Sequence, residues 1–294
     1  MCERDDLART GRAGRFDWSP NRRQFAALGS MAALAACATG TTGMAADALL
    51  SEGSVSVATA DGTMDAFFVR PSSGKHPAIL MWPDIAGLRD AFKVMARRLA
   101  GQGYAVLVAN QYYRSSKAPQ FSDFADFQAN DGFAKAGEMR KALTPDAVMR
   151  DATSAIGWLD ARGEVDTAKG VGTNGYCMGG PFTVFTAAAV PARVRAAASL
   201  HGGGLVKPDD PLSPHKLLGR TQASYLFAIG QNDDEKDPEA KTALRAAAAE
   251  ANRPAEVEVY PADHGWTVID SPSYEQAAAE RAWGRMSALY ERAL

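Results

Sequence analysis

The chain of 294 residues is 46% hydrophobic and 22% charged, which is the composition of an ordinary soluble globular protein. Its formal net charge of −2, without a long basic stretch, gives no electrostatic support for nucleic-acid binding. The length suits one large α/β domain or two smaller domains, and a small-molecule partner is the better expectation.

The first 46 residues have the features of an export signal. Asn21-Arg22-Arg23-Gln24-Phe25 contains a twin arginine and precedes an apolar run of about a dozen residues. That run is too short for a comfortable transmembrane helix, which needs about 20 residues. We therefore predict a twin-arginine export signal over residues 1–46 and one catalytic domain over residues 47–294 of a bacterial protein.

Two processing sites compete within this segment. Leu34-Ala35-Ala36-Cys37 resembles a bacterial lipobox, whose cysteine is lipidated after cleavage, so that the mature protein is a membrane-anchored lipoprotein. Cleavage at the small residues of Gly43-Met44-Ala45-Ala46 instead releases the protein into the periplasm. Both routes predict an extracytoplasmic location. A disulfide framework is not expected, because two of the three cysteines, Cys2 and Cys37, lie in the predicted export signal and only Cys177 lies in the catalytic domain.

Two short apolar runs open the domain, and strand and helix patterns then alternate from residue 78 to the end of the chain. Asp61-Gly62 is a hairpin turn signal between the first two of these runs. Strands are predicted at residues 55–60, 64–70, 78–82, 104–110, 170–176, 195–201, 225–230 and 255–260. Helices are predicted at residues 91–101, 145–160, 181–190, 238–251 and 273–293. The alternation predicts an α/β fold, with a mostly parallel central sheet, helices on both faces and an antiparallel hairpin at one edge.

One glycine-rich stretch, Gly-Tyr-Cys-Met-Gly-Gly at residues 175–180, stands between a predicted strand and a predicted helix. Gly-x-nucleophile-x-Gly in this context is the nucleophile elbow of the α/β-hydrolase fold. The elbow places Cys177 at a helix N-terminus, where the partial positive charge favours a thiolate. The competing interpretation is a buried cysteine that only packs.

The order of residues after the elbow distinguishes these interpretations, because an elbow requires an acid and then a histidine. Asp233 follows the predicted strand at 225–230, and His264 follows the strand at 255–260. Both therefore lie at the strand ends where open α/β sheets carry their sites. The Gly-x-x-Asp spacing favours Asp233 over the adjacent Asp234. We predict a triad of Cys177, Asp233 and His264.

These motifs, together with PDIAGLRDAF at residues 83–92, resemble those of the dienelactone hydrolases over most of residues 54–294. The resemblance implies an α/β-hydrolase fold, a cysteine nucleophile and cleavage of a carboxylic ester or lactone. No metal-ligand spacing and no phosphate-binding glycine loop is present in the sequence, so neither a metal nor a cofactor is expected.

The resemblance also implies roles outside the triad. Asp84 stands where the family has a glutamate that takes the thiol proton, and its alternative role is to cap the helix that follows. Arg114, in Gln-Tyr-Tyr-Arg beside Tyr113, matches an arginine that binds the substrate carboxylate, with a surface cation as the alternative. Gly265 and Trp266 replace a serine that follows the histidine in founding members. This departure suggests a different acid or leaving group and makes Trp266 a predicted substrate contact.

In the predicted mechanism, the thiolate attacks an ester carbonyl and forms an acyl-enzyme that water hydrolyses. Backbone N–H groups of Met178 and Ile85 are predicted to hold the oxyanion. A thioesterase or acyl transferase on the same triad is one alternative. A catalytically inactive extracytoplasmic binding lipoprotein is another.

Substrate specificity is expected to come from two loop segments, residues 111–143 and 202–222. The first of them is predicted as a long loop or short helix. His-Gly-Gly-Gly at residues 201–204 resembles a lipase oxyanion loop but follows the nucleophile, so we predict a loop that closes a strand, with His201 as a possible pocket residue. A monomer is expected.

Overall fold

The computed structural model describes residues 49–294. The export signal predicted for residues 1–46, including Cys37, lies outside the described residues and stays a prediction. Eight strands form one sheet: β1 (Leu50–Thr59), β2 (Gly62–Pro71), β3 (Ala78–Trp82), β4 (Ala105–Ala109), β5 (Val171–Tyr176), β6 (Val194–Leu200), β7 (Ser224–Gly230) and β8 (Ala255–Tyr260).

The order of the strands in the sheet is β1-β2-β4-β3-β5-β6-β7-β8. β1 pairs with β2 and β2 pairs with β4 in antiparallel fashion, whereas the other neighbours are parallel. The predicted α/β-hydrolase fold, with its hairpin at one edge, is therefore confirmed. The hairpin turns at Ala60 and Asp61, because Thr59 pairs with Gly62, which is one residue earlier than the predicted turn.

Helices cover both faces of the sheet. They are α1 (Asp90–Gly101), α2 (Phe124–Ala129), α3 (Gly132–Arg140), α4 (Pro145–Asp160), α5 (Gly180–Ala189), α6 (Pro214–Leu217), α7 (Gln231–Lys236), α8 (Ala240–Glu250) and α9 (Gln276–Ala293). Side chains of α1 and α9 pack on one face, and those of α4, α5 and α8 pack on the other. None of the helices in residues 49–294 has the length and apolar character that crossing a membrane requires.

Alternating side chains of the central strands enter the two cores. In β3, Leu80 and Trp82 join the core under α4 and α5, whereas Ile79 and Met81 join the core under α1 and α9. All five residues of this strand are buried, as expected for a parallel strand that is covered on both sides. The carboxyl ends of β3, β5, β6, β7 and β8 consequently meet at one edge.

The segment at residues 111–143 contains more regular structure than the sequence predicts. It holds α2 and α3, and its aromatic side chains form a third core. Phe121, Phe124 and Phe127 pack against one another in this core, with ring centroids of neighbouring pairs about 5 Å apart. The same cluster includes Cys177 and Ile85, so this segment forms one wall of the site.

Candidate active site

The position of the candidate nucleophile is the end of β5. Cys177 begins a short 3₁₀ turn, Cys177–Gly179, that leads directly into α5. Its φ is 54°, a left-handed conformation that residues other than glycine rarely adopt. The residue is 4% exposed and lines a cavity. The strand–turn–helix context that the Gly-x-Cys-x-Gly pattern predicts is present.

Glycines allow the backbone to make this turn. A Cβ on Gly175 would clash with the carbonyl oxygen of Gly179, and a Cβ on Gly179 would lie 2.5 Å from the carbonyl oxygen of Trp82. A Cβ on Gly180 would lie 2.5 Å from the Cα of Gly202, in the loop after β6. Because these neighbours are backbone atoms in a close-packed interior, rotation of a side chain cannot relieve the contacts.

Two adjacent carboxylates follow β7, and only one of them reaches the candidate histidine. The Oδ2 and Oδ1 atoms of Asp233 lie 2.8 and 3.0 Å from Nδ1 of His264. Asp234 instead binds Nζ of Lys241, at 2.6 and 2.8 Å. The side-chain oxygen of Asn232 accepts the backbone N–H of His264 at 2.8 Å. The structure therefore brings Asp233 to His264 and fixes the histidine loop through α7.

The other edge of the His264 ring is directed to the nucleophile. Burial alone lowers the pKa of His264, but the negative charge of the Cys177 sulfur and the hydrogen bond to Asp233 outweigh it. The pKa of His264 is therefore raised well above its usual value. Nε2 is buried and makes no hydrogen bond of standard geometry, which is common for a catalytic pair before substrate binds. The arrangement favours an imidazolium–thiolate pair.

The loop after β3 presents the backbone of Ile85 beside the elbow. The hydroxyl of Tyr112 donates to the carbonyl oxygen of Ile85 at 2.8 Å, and Nε2 of Gln111 donates to the carbonyl oxygen of Asp84 at 2.8 Å. Met178 follows the nucleophile in the 3₁₀ turn and lines the same cavity, and the first N–H groups of such a turn have no acceptor within it. The oxyanion roles of Met178 and Ile85 stay predictions.

The carboxylate of Asp84 is engaged by a buried arginine. Its two carboxylate oxygens accept from Nη1 and Nη2 of Arg89 at 2.7 and 2.9 Å, and one of them also accepts the N–H of Ala86. Arg89 is fully buried, and Asp270 binds the other side of its guanidinium at 2.7 Å. Nor does Asp84 cap α1, whose N-cap residue is Arg89 without a side-chain bond. Asp84 thus shapes the loop that carries Ile85.

Arg114 and Tyr113 lie away from the cavity, contrary to the prediction. The guanidinium of Arg114 binds both oxygens of Asp151, at 2.7 and 2.8 Å, and also binds Asp61. The hydroxyl of Tyr113 donates to Asp151 at 2.7 Å. Burial raises the pKa of Asp151, although both neighbours oppose the shift by stabilising its charge. Arg114 is therefore engaged in holding a buried carboxylate between the hairpin and α4.

Trp266 is fully buried, so it cannot contact a substrate in this conformation. Its ring stacks on Tyr260 with centroids 5.3 Å apart and meets the ring of His201 edge-on. The preceding Gly265 has a φ of 98°, and a Cβ there would lie 2.6 Å from Oγ of Ser271. A serine in place of Gly265 is consequently disfavoured by both backbone conformation and space.

The cavity above Cys177 has a volume of about 160 Å³. Besides Cys177, Met178 and His264, its lining residues come largely from the two segments that were predicted to set specificity and from α5. They are Arg140, Leu143, Pro145, Pro181, Phe182, Phe185, Gly203, Gly204, Lys207, Asp210 and Pro214. Within residues 49–294, neither Arg140 nor Lys207 forms an ion pair with a carboxylate. With a single carboxylate, Asp210, the lining carries a net positive charge.

A second, largely apolar cavity of about 220 Å³ lies between α1 and α9. Cys177, Asp233 and His264 do not line it, so the candidate site lies at the smaller cavity. Residues 49–294 contain no group of three or more histidine, cysteine or carboxylate side chains placed to hold a metal ion.

Sequence reasoning missed two residues of the site and gave a third a different role. Arg140 and Lys207 lie in the segments that were expected to set specificity, but nothing in the local pattern distinguished them from other surface cations. His201 was considered only as a pocket residue, and the structure buries it beneath the elbow. Its position directly after β6, at the same edge of the sheet as Cys177, was the available signal.

Comparison with known proteins agrees with the observed fold. Residues 64–294 match the model of the dienelactone hydrolase family. A provisionally named carboxymethylenebutenolidase of Salmonella typhimurium is 29% identical over 246 residues, which cover 82% of this chain and 87% of that protein. A crystal structure of a provisionally named dienelactone hydrolase from Klebsiella pneumoniae superposes with a TM-score of 0.70 at 26% identity, covering 83% of this chain and 99% of that one. A promiscuous, dienelactone hydrolase-like phosphotriesterase from metagenomic libraries superposes with a TM-score of 0.64 at 25% identity, covering 83% and 98%.

Proposed function

The chain belongs to the dienelactone hydrolase family and is a carboxylic ester or lactone hydrolase, and we propose that it works through Cys177, His264 and Asp233 with an acyl-thioester intermediate. One observation carries the proposal. The Asp233–His264 pair converges on the side chain of a cysteine that is held at a positive φ at the floor of a cavity. The twin-arginine pattern within residues 1–46 supports action outside the cytoplasm.

In the acylation step, the Cys177 thiolate attacks the carbonyl carbon of the ester or lactone. The N–H groups of Met178 and Ile85 stabilise the negative charge that develops on the carbonyl oxygen. When the tetrahedral intermediate collapses, the C–O bond breaks and the leaving oxygen takes a proton from the imidazolium of His264. In a lactone the leaving oxygen stays attached to the acyl group, so the ring opens without release of a fragment.

Acylation itself prepares His264 for the second step. The charge of Cys177 is the largest influence that raises the pKa of His264, and formation of the thioester removes this charge. The pKa of the imidazole then falls, which favours the neutral ring that takes a proton from water as the water attacks the thioester carbonyl. Asp233 holds Nδ1 throughout, so that Nε2 is the nitrogen that exchanges protons.

The size and charge of the cavity favour a small acidic substrate. A volume of about 160 Å³ is below the roughly 300–1,000 Å³ that is typical of sites for drug-sized ligands. Arg140 and Lys207 supply positive charge that no carboxylate within residues 49–294 neutralises as an ion pair. We propose a short ester or lactone that carries a carboxylate, with Arg140 and Lys207 taking the part that the sequence assigned to Arg114.

The test compares wild-type protein with Cys177→Ala and Cys177→Ser on p-nitrophenyl acetate and on a carboxylate-bearing lactone. We expect Cys177→Ala to abolish turnover and iodoacetamide to inactivate the wild-type enzyme. Mass spectrometry after rapid acid quenching should show an acyl adduct on Cys177. Full activity of the alanine variant would overturn the mechanism.

The same preparation separates the alternatives. Faster turnover of acyl thioesters than of oxygen esters would indicate a thioesterase, and ester formation with an added alcohol would indicate an acyl transferase. Binding of lactones without hydrolysis of any ester, lactone or thioester would identify an inactive binding protein.

A further inference from the structure

His201 lies directly after β6 and connects the elbow to the loop of the catalytic histidine. The residue is 1% exposed, and its φ is 41°. Its Nδ1 lies 3.1 Å from the backbone nitrogen of Cys177, and its Nε2 lies 2.8 Å from Oγ1 of Thr267. The His201 and His264 rings meet edge-on, with centroids 4.9 Å apart. Two loops that must keep a fixed separation for catalysis therefore meet at one buried ring.

These two contacts define the protonation of His201. A backbone N–H only donates, so Nδ1 must accept with its lone pair and the ring proton must reside on Nε2. Nε2 then donates to the hydroxyl oxygen of Thr267. Burial, followed by the positive charge of His264, lowers the pKa of His201 well below its usual value. The ring is consequently neutral and held in a single tautomer.

The Cys177 N–H that His201 accepts lies at the junction between a strand and a helix. Cys177 directly follows the last residue of β5 and begins the 3₁₀ turn that leads into α5. Its φ of 54° persists only where the surroundings impose it. Because His201 accepts this N–H, it contributes to holding Cys177 in the elbow conformation.

His201 itself does not touch the substrate. It is absent from the lining of the cavity at Cys177, and both of its ring nitrogens are engaged. It therefore cannot serve as a general base while these bonds persist.

We propose that His201 is a positioning residue, which fixes the backbone of Cys177 through Nδ1 and is itself oriented by Thr267 through Nε2. The inference rests on the proposed role of Cys177 as nucleophile. Thr267 lies three residues after His264, so the chain of two hydrogen bonds ties the nucleophile to the loop that carries the base.

Three substitutions of His201 separate its two bonds. In His201→Asn the amide oxygen lies as many bonds from Cα as Nδ1 does, so it can accept the Cys177 N–H, and asparagine tolerates a positive φ. In His201→Gln the terminal amide nitrogen corresponds to Nε2 and can donate to Thr267, but nothing replaces Nδ1. His201→Phe keeps a ring and removes both bonds.

We expect His201→Asn to keep kcat within about threefold of wild type, whereas His201→Gln and His201→Phe lower kcat by about 10- to 100-fold with little change in KM. The rate of Cys177 alkylation should fall in the same order. Equal kcat losses in all three variants, in proportion to their losses of melting temperature, would show that His201 only fills space and would overturn the proposal.

Thr267 provides a second, milder pair of variants, which keeps the test decisive if a His201 variant does not fold. Thr267→Ser keeps the hydroxyl and should retain wild-type kcat, whereas Thr267→Val should lower kcat with KM unchanged. Identical kcat values for these two variants would contradict the role of Thr267. Failure of the proposed function and failure of the positioning role give different results. An active Cys177→Ala enzyme refutes the proposed function. An inactive Cys177→Ala enzyme, together with His201→Gln and His201→Phe variants that keep wild-type kcat, refutes only the positioning role.

Discussion

Asp233 binds Nδ1 of His264 through both carboxylate oxygens, at 2.8 and 3.0 Å, while the adjacent Asp234 turns to Lys241. Two consecutive residues of α7 therefore have different partners: the first orients the imidazole, and the second forms an ion pair with a lysine. The bond to Asp233 places the second ring nitrogen toward Cys177.

The two neighbouring carboxylates are a matched pair for mutagenesis. Asp233→Asn should lower kcat by about 10²- to 10⁴-fold, because an amide no longer stabilises the imidazolium or enforces the tautomer with a proton on Nδ1. Asp234→Asn should leave kcat unchanged. Steady-state kinetics with p-nitrophenyl acetate checks both variants, and a larger loss in Asp234→Asn than in Asp233→Asn would assign the acid to Asp234.

The pH dependence of Cys177 alkylation follows from the raised pKa of His264. A base whose pKa is raised stays protonated through neutral pH and loses its proton only as the pH rises through the raised value. The imidazolium should therefore keep Cys177 as a thiolate, so that the iodoacetamide rate at pH 6 is within about threefold of the rate at pH 8. An ordinary thiol with a pKa near 8.5 would lose roughly 80-fold over this interval. A steep rise of that kind would contradict the ion pair.

Alanine at Gly179 should destabilise the fold through the elbow. The added Cβ would lie 2.5 and 2.6 Å from the carbonyl oxygens of Trp82 and Pro83. Such overpacking costs about 1–3 kcal/mol or more. Gly284→Ala is the control, because this glycine lies in α9 with open space around it, and alanine should stabilise a helix there by about 1 kcal/mol. Urea unfolding measures both changes, and equal free energies of unfolding for the two variants would contradict the crowding.

The buried Arg89 should contribute strongly to stability. It lies between Asp84 and Asp270, so Arg89→Met leaves two carboxylates without their partner and should lower the free energy of unfolding by about 3–5 kcal/mol. Arg97→Met, which breaks a more exposed pair with Glu52, should cost about 1 kcal/mol or less. Chemical denaturation of both variants tests this contrast, and similar losses would show that the buried network adds nothing beyond a surface pair.

Removal of the Arg140 charge should weaken the binding of acidic substrates selectively. Arg140→Gln should raise KM about tenfold for a carboxylate-bearing ester, while KM for neutral p-nitrophenyl acetate stays near wild type. Lys141→Gln is the matched control, because this neighbouring cation is exposed and pairs with Glu138. If Arg140→Gln changes KM equally for both substrates, the Arg140 side chain does not bind the substrate carboxylate.

Much of the fold follows from local sequence patterns. The helix at Pro145–Asp160 starts where Thr144 caps it, because the Thr144 hydroxyl accepts the N–H of Ala147 and proline occupies the first position. α3 carried no comparable signal, since Asp131 precedes it at a positive φ without a side-chain cap. Tertiary packing of the aromatic cluster, which local propensity does not encode, accounts for its position.

The candidate site was predictable where chain order and strand ends determine it, as for the Asp233–His264 pair. Residues outside that order were misplaced, because the ion-pair partner decides where a charged side chain points. Arg114 is held by Asp151, which lies 37 residues later in the chain. Asp84 is held by Arg89 of the same motif, but the burial of Arg89 depends on the distant Asp270, and the motif alone does not reveal this pairing. Trp266 was misplaced as well, because its ring packs on Tyr260 at the end of β8 and is buried there.

The cavity is lined by two groups of residues that come from different parts of the fold. Its reactive groups are fixed by the sheet and by glycines that tolerate no side chain, whereas Arg140 and Lys207 lie on segments outside the central strands. Connecting segments of this kind accept sequence change more readily than the sheet that carries them. Exchange of these two segments between related enzymes should therefore transfer the preference for carboxylate-bearing substrates, without any change in the sequence of the elbow.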